Sequence, residues 1–190
     1  ATAKELGYTS IWLYDEFNWP SGTANKTVMK QNPDFVFRHL NAVKNKDGNF
    51  EIVMRENPDM SNLLEPDVVE CFISLTHEKY AKKLAPYLGS FVKGVFTDEP
   101  SAGYFNWKQY ASDKIKVPYY KGIEEDYKKL TGTDLRTDML IAARTGSLTH
   151  EEPVNRLIAK RFSQTYAKRI SDWCAKHGMV LTGHLMDEYF

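Results

Sequence analysis

Three short apolar stretches of the chain each end in the dipeptide Asp-Glu. The three pairs occupy residues 15–16, 98–99 and 187–188. A carboxyl group held beside a substrate can donate or accept a proton, and two such groups flanking a glycosidic bond can hydrolyse it. Aspartate and glutamate are also common loop and helix-capping residues, so each pair taken alone favours a structural role, and only the three repeats at equivalent positions point to a site.

The residues before each pair predict β-strands, because "YTSIWLY", "SFVKGVFTD" and "MVLTGHLM" are rich in β-branched and aromatic residues. Long helices are predicted between them, over about 66–88 and 153–177. Strands that alternate with helices predict an α/β fold with a parallel sheet covered on both faces. In such folds, binding and catalytic sites lie at the carboxyl ends of the strands.

One segment departs from this alternation. Residues of about 34–56 alternate apolar with polar side chains on both sides of "KNKDGN", and Asp-Gly between two such runs is a strong hairpin signal. We therefore expect a β-hairpin insertion here, outside the parallel sheet.

Composition excludes some classes of partner. Lysine plus arginine equals aspartate plus glutamate, at 25 each. The chain therefore lacks the excess positive charge that is typical of proteins that bind nucleic acid or an anionic membrane. No apolar run approaches the ~20 residues of a membrane span. The cysteines, Cys71 and Cys174, lack the spacing of a zinc site and are predicted to be buried thiols.

Several further side chains near the strand ends are candidates for substrate binding. Trp19 would offer a stacking platform for a sugar ring. Asp15 could hold sugar hydroxyls, or a metal together with other oxygens, and Asn18 could add an oxygen. His184 follows Gly183 and could bind a hydroxyl or orient a carboxylate, although a satisfied core histidine fits the sequence equally well.

Three strings of the sequence resemble segments of bacterial (β/α)8-barrel glycoside hydrolases, nearest to the α-L-rhamnosidases of glycoside hydrolase family 106. The strings are "LGYTSIWLYDEFNWPSGTA", "GVFTDEPS" and "DWCAKHGMVLTGHLMDE". They lie within residues 1–101 and 153–188, while residues 102–152 match no family segment. The resemblance implies a TIM-barrel catalytic domain and inverting hydrolysis of a glycosidic bond, and it leaves calcium open as a cofactor.

The resemblance also implies roles for individual residues. Glu99 of "TDEP" corresponds to the general acid, and Glu188 of "GHLMDE" corresponds to the base that activates water. Two neighbouring acids are further candidates for substrate binding. Glu16 follows Asp15 at the end of the first predicted strand, and Asp98 precedes Glu99 in "TDEP".

The length of the chain is shorter than a whole barrel, which takes ~250 residues. We therefore expect residues 1–190 to form a single partial barrel domain, cut from a larger enzyme. An open partial sheet would expose apolar edges and faces, so self-association through them is also predicted.

Other functions stay open beside a glycoside hydrolase acting on a carbohydrate. A metal-dependent hydrolase or isomerase on the same barrel would use Asp98, Glu99, His184 and Glu188 as ligands. A non-catalytic carbohydrate-binding fragment would instead use a mainly aromatic contact surface.

Overall fold

The structure is a computed structural model that describes residues 2–16, 22, 25–102 and 115–184. Within these ranges the strands are β1 (Ile11–Glu16), β2 (Val36–Lys44), β3 (Phe50–Ser61), β4 (Val92–Asp98), β5 (Lys116–Pro118) and β6 (Val180–His184). The helices are α1 (Thr2–Glu5), α2 (Thr27–Gln31), α3 (Pro66–Leu75), α4 (His77–Leu84), α5 (Ile123–Thr131), α6 (Leu135–Thr145), α7 (Glu151–Phe162) and α8 (Lys168–Lys176). No helix in this part of the chain is long and apolar enough to cross a membrane.

Three strands form a parallel sheet in the order β1-β4-β6, with β4 in the centre. Their β-branched and aromatic residues suit a pleated surface of this kind. The predicted α/β class, with parallel strands separated by helices, is confirmed. Three parallel strands are fewer than a barrel contains, so a partial TIM barrel stays a prediction.

The two faces of the parallel sheet have different surroundings. Leu13 and Val95 are buried on one face, within the core that α3 and α8 complete. The residues that alternate with them project from the other face, where Trp12, Tyr14 and Val180 are 46%, 40% and 57% exposed. The prediction that both faces are covered is therefore wrong for the described residues.

Gly94 in the central strand makes room for Trp12 on this open face. A Cβ atom at Gly94 would lie 2.3 Å from Cζ3 of Trp12 and 2.3 Å from the carbonyl oxygen of Val180. Because glycine lacks that atom, the indole ring can approach the backbone of β4 closely. The exposed aromatic and aliphatic side chains agree with the expectation for an open partial sheet.

The predicted hairpin is present but belongs to a larger unit. β2 and β3 pair antiparallel, and Asn45 stabilises the turn between them by accepting hydrogen bonds from the backbone N–H groups of Asp47 and Asn49. β3 continues to Ser61, beyond the predicted end. β5 pairs with the other edge of β2, so the insertion is one part of a second three-stranded sheet.

The two long helices predicted over 66–88 and 153–177 are interrupted in different ways. The first is divided at Thr76, whose φ of −121° and ψ of −69° are not helical, and the second half begins at His77. The second continues from α7 to α8 through a π-helical turn, Ser163–Ala167. A π turn accommodates an additional residue within a helix and often lies near a functional site.

The pairing of β6 with β4 depends on Gly183. A Cβ atom there would lie 1.9 Å from the carbonyl oxygen of Thr97, and Gly183 has a φ of +143°. Gly132 is a matched control, since its φ is +80° but a Cβ atom would meet nothing within 4 Å.

We expect Gly132→Ala to lower the free energy of unfolding by about 1 kcal/mol, through backbone strain alone. Gly183→Ala should cost at least about 2 kcal/mol more, because β6 must move away from β4 to relieve the overlap. Chemical denaturation of both variants measures the difference. Equal costs would contradict the close approach of the two strands.

Candidate functional site

The carboxyl ends of β1, β4 and β6 meet along one edge of the parallel sheet. The strand register places the backbone of Glu16, Asp98 and His184 side by side at this edge, which we call the rim. Residues in one row of a parallel sheet share a face, so Asp98 and His184 project from the open face together with Tyr14. The fold therefore brings together two of the predicted site residues.

The carboxylate of Asp98 connects all three strands of the sheet. Its Oδ1 lies 2.5 Å from Nε2 of His184 on β6, and its Oδ2 accepts a hydrogen bond from the hydroxyl of Tyr14 on β1. The Asp98 side chain is 24% exposed and the His184 side chain is 38% exposed. Both groups are consequently held by protein partners yet reachable from solvent.

The ring of Phe96, two residues before Asp98 in β4, contacts both partners of Asp98. Its ring stacks on Tyr14, with centroids 6.1 Å apart and an interplanar angle of 11°. His184 meets the same ring edge-on, at 5.9 Å and 64°. Such offset and edge-to-face contacts are favourable aromatic geometries, and here they limit the movement of both polar groups around Asp98.

This arrangement is suited to acid–base chemistry. The close contact with Asp98 limits the orientation of the His184 imidazole. The second ring nitrogen is then available to a ligand or to water. Proton transfer by a positioned histidine or carboxyl group is the usual form of general acid–base catalysis.

Glu99 follows the last residue of β4 and leaves the strand in an unusual conformation. Its φ is +45°, in the left-handed region that favours glycine, and its side chain is exposed. The backbone N–H of Glu99 donates a 3.1 Å hydrogen bond to the carbonyl oxygen of His184. A strained backbone position costs about 1–3 kcal/mol and is often found at functional sites.

Asp15 lies on the opposite, covered face of the sheet. Its side chain is 1% exposed, and its Oδ2 lies 2.5 Å from Nε2 of His77, which is fully buried. The rings of Phe72 and Trp173 pack edge-on against His77, at 5.4 and 5.1 Å. The structure thus separates Asp15 from the rim, although the sequence predicted it to contact substrate together with Asp98.

The buried carboxylate of Asp15 influences several neighbours. Burial raises the pKa of Tyr166 well above its ordinary value, and the charge of Asp15 raises it further. Burial, with a smaller contribution from Asp15, also raises the pKa of the Cys174 thiol to about 11 and raises that of Tyr80. These groups stay protonated at neutral pH, and the Tyr166 hydroxyl shares a 2.8 Å hydrogen bond with Thr97 in β4.

The remaining predicted site residues are only partly covered by the structure. Asn18, Trp19 and Glu188 lie outside the described residues, and of Glu16 the backbone alone is described. In the part of the chain that is described, no three histidine, cysteine, aspartate or glutamate side chains converge as a metal site would require. Ligands for calcium are therefore not assigned.

Sequence reasoning did not identify Tyr14 as a partner of Asp98. Its hydroxyl contacts the Asp98 carboxylate from β1, while His184 contacts the same carboxylate from β6. The contact depends on the register of β1 with β4, which pairs Tyr14 with Phe96 and Glu16 with Asp98. The Asp15–His77 contact likewise had no local signal, since it depends on how a helix packs on the sheet.

No protein-family model, curated protein or solved structure matches this chain. The resemblance to α-L-rhamnosidases therefore rests on the three sequence strings alone. Function has to be inferred from the side chains that the fold brings together at the rim.

Removal of the Asp15 carboxylate tests whether the buried pair supports the fold. We expect Asp15→Ala to lower the free energy of unfolding by about 3–5 kcal/mol, because His77 would stay buried without its partner. The matched change at the rim, Asp98→Ala, should cost about 1 kcal/mol or less, since that pair is partly solvated. Urea denaturation at pH 7 compares the variants, and similar losses would contradict the assignment of Asp15 to the interior.

Proposed function

We propose that the rim is the acid–base centre of a glycoside hydrolase. The observation that carries this proposal is the contact of Asp98 with both His184 and Tyr14, directly before the exposed carboxyl group of Glu99. Catalytic groups need accessible positions on rigid elements and partners that fix their orientation. The proposed substrate is a carbohydrate, and the sequence resemblance favours an α-L-rhamnoside or a related sugar.

In this proposal Glu99 is the general acid that protonates the leaving-group oxygen. Its side chain is exposed, and its backbone is anchored to β6 through the hydrogen bond to His184. Glu188, four residues after β6, is the proposed base that activates water. An inverting mechanism would require the two carboxyl groups to be about 6.5–9.5 Å apart, with room for that water.

Asp98 and His184 are proposed to bind the sugar rather than to transfer the proton to the leaving group. The second ring nitrogen of His184 can hydrogen-bond one sugar hydroxyl while Asp98 accepts from another, and Tyr14 keeps the carboxylate in place. Bidentate contacts of this kind orient a substrate and contribute to catalysis by positioning it.

A second candidate function is carbohydrate binding without catalysis. The exposed aromatic side chains Trp12 and Tyr14, at 46% and 40%, favour it because sugar rings pack on aromatic faces. This function predicts affinity for sugar that survives the loss of both Glu99 and Glu188. The same exposed face is the proposed surface for self-association, which would compete with a ligand.

The decisive activity test is the Glu99→Gln variant. We expect turnover of an alkyl glycoside, whose leaving group needs a proton, to fall by about 10²–10⁴-fold. An aryl glycoside with a good leaving group should lose less, because it departs without protonation. Hydrolysis is followed by release of the reducing sugar, with Glu56→Gln on the exposed part of β3 as the control.

A uniform loss on both substrates would argue against Glu99 as the acid, and an unchanged rate would exclude it. Sugar binding by the inactive variant, measured calorimetrically, distinguishes a catalytic centre from a simple binding surface. Activity that disappears on chelation and returns with a divalent ion would favour the metal-dependent alternative.

The backbone conformation of Glu99 gives an independent prediction about stability. Glu99→Gly should be as stable as the wild type or up to about 1 kcal/mol more stable, because glycine adopts a positive φ without strain. Glu99→Gln should keep the wild-type stability. Thermal unfolding of the two variants, compared with their activities, would show whether strain is retained for function; a large destabilisation by Glu99→Gly would contradict this.

A further inference from the structure

A cavity of about 350 Å³ lies away from the rim, between α5 and α7. Asp126, Lys129 and Leu130 line it from α5, at spacings of three and four residues that share one helix face. On α7, Leu157 and Arg161 are four residues apart and likewise share one helix face. The cavity is therefore formed by two helix faces that turn towards each other.

The cations of this cavity are incompletely paired. The Arg161 guanidinium donates through Nε to the carbonyl oxygen of Leu64 at 2.8 Å and through Nη2 to Glu65 at 3.3 Å. Neither bond uses Nη1. The guanidinium also lies over the ring of Tyr120, with Cζ 4.8 Å from the centroid, so its plane is fixed.

Two lysines add positive charge that no neighbouring acid neutralises closely. Lys160, next to Arg161 on α7, has no ion-pair partner among the described residues. Lys129 is 3.9 Å from Asp126, the limit of an ion pair. Asp126 is also engaged by the hydroxyl of Tyr120, which donates to it at 3.0 Å.

Apolar side chains form part of the cavity wall beside the cations. Leu130 is 42% exposed, an unusual position for a large aliphatic side chain, and Leu157 is partly buried against the core. The ring of Tyr120, 2% exposed, lines the interior. A ligand that fits must therefore combine an anionic group with a hydrophobic body.

The π-helical turn supplies the last wall and makes it rigid. Gln164, in the middle of that turn, lines the cavity. The next residue, Thr165, is fixed in the core by donating to the carbonyl oxygen of Leu63 at 2.8 Å, and Tyr166 is fixed by Thr97. The turn thus presents the amide side chain of Gln164 to the cavity, from a backbone that Thr165 and Tyr166 hold against the core.

We propose that the cavity between α5 and α7 binds a small phosphate monoester with an aromatic or aliphatic body. Nη1 of Arg161, which makes no hydrogen bond to a described residue, and the ammonium groups of Lys129 and Lys160 would contact the phosphate oxygens. Leu130, Leu157 and the Tyr120 ring would contact the body. The inference is independent of the proposed glycosidase activity, because the site shares no residue with the rim.

Phenyl phosphate is a suitable probe, since it joins a dianion to a flat apolar ring. Titration followed by backbone amide NMR should shift the resonances of Leu130 and Gln164, with a Kd of about 1 mM or below. Inorganic phosphate tests the charge alone and phenol tests the ring alone. Both should bind at least about fivefold more weakly than phenyl phosphate.

The double variant Lys129→Glu/Lys160→Glu should weaken binding of phenyl phosphate about tenfold or more, since it replaces two attractive contacts by repulsive ones. Both lysines are exposed, so the fold should be unaffected. Lys128→Glu is the matched control, because this exposed residue lies on the opposite side of α5, and its affinity should stay within about twofold.

Three results would overturn the proposal. The first is the absence of shifts at Leu130 and Gln164 at millimolar phenyl phosphate. The second is equal weakening by Lys128→Glu and by the double variant, which would indicate general charge attraction. The third is equal affinity for inorganic phosphate, which would remove the role of the apolar walls.

Discussion

The pairing of β4 with a parallel neighbour on each side is the constraint on which the rest of the structure depends. It sets Asp98 level with His184, and it is possible only because Gly183 brings no side chain against Thr97. A shift of one residue would turn every side chain of β6 to the other face. The strand register, rather than any single contact, therefore decides which groups meet at the rim.

The same sheet holds two aspartate–histidine contacts of equal length in opposite environments. Asp15 and His77 are enclosed by aromatic rings, where removal of one partner leaves the other buried and unpaired. Asp98 and His184 remain partly solvated, where such a pair contributes little to stability. Burial thus distinguishes a pair enclosed by packing from a pair that solvent can reach.

Local patterns predicted the parts of the fold that local forces determine. The three parallel strands and the hairpin between β2 and β3 follow from periodicity and turn residues. Side chains alternate along a strand, so adjacent acids point to opposite faces. Which face of the sheet is covered depends on where α3 and α8 pack. The inward position of His77 follows the break in the helix at Thr76. Neither feature can be predicted from a few neighbouring residues of the sequence.

Tryptophan emission responds to the polarity around the indole, and among the described residues one such ring lies on each side of the parallel sheet. Trp173 is 5% exposed, and its indole N–H donates to Glu78. Trp12 rests against the backbone of Gly94 in contact with water. Displacement of water from the open face would therefore alter the surroundings of Trp12, while Trp173 lies on the covered face.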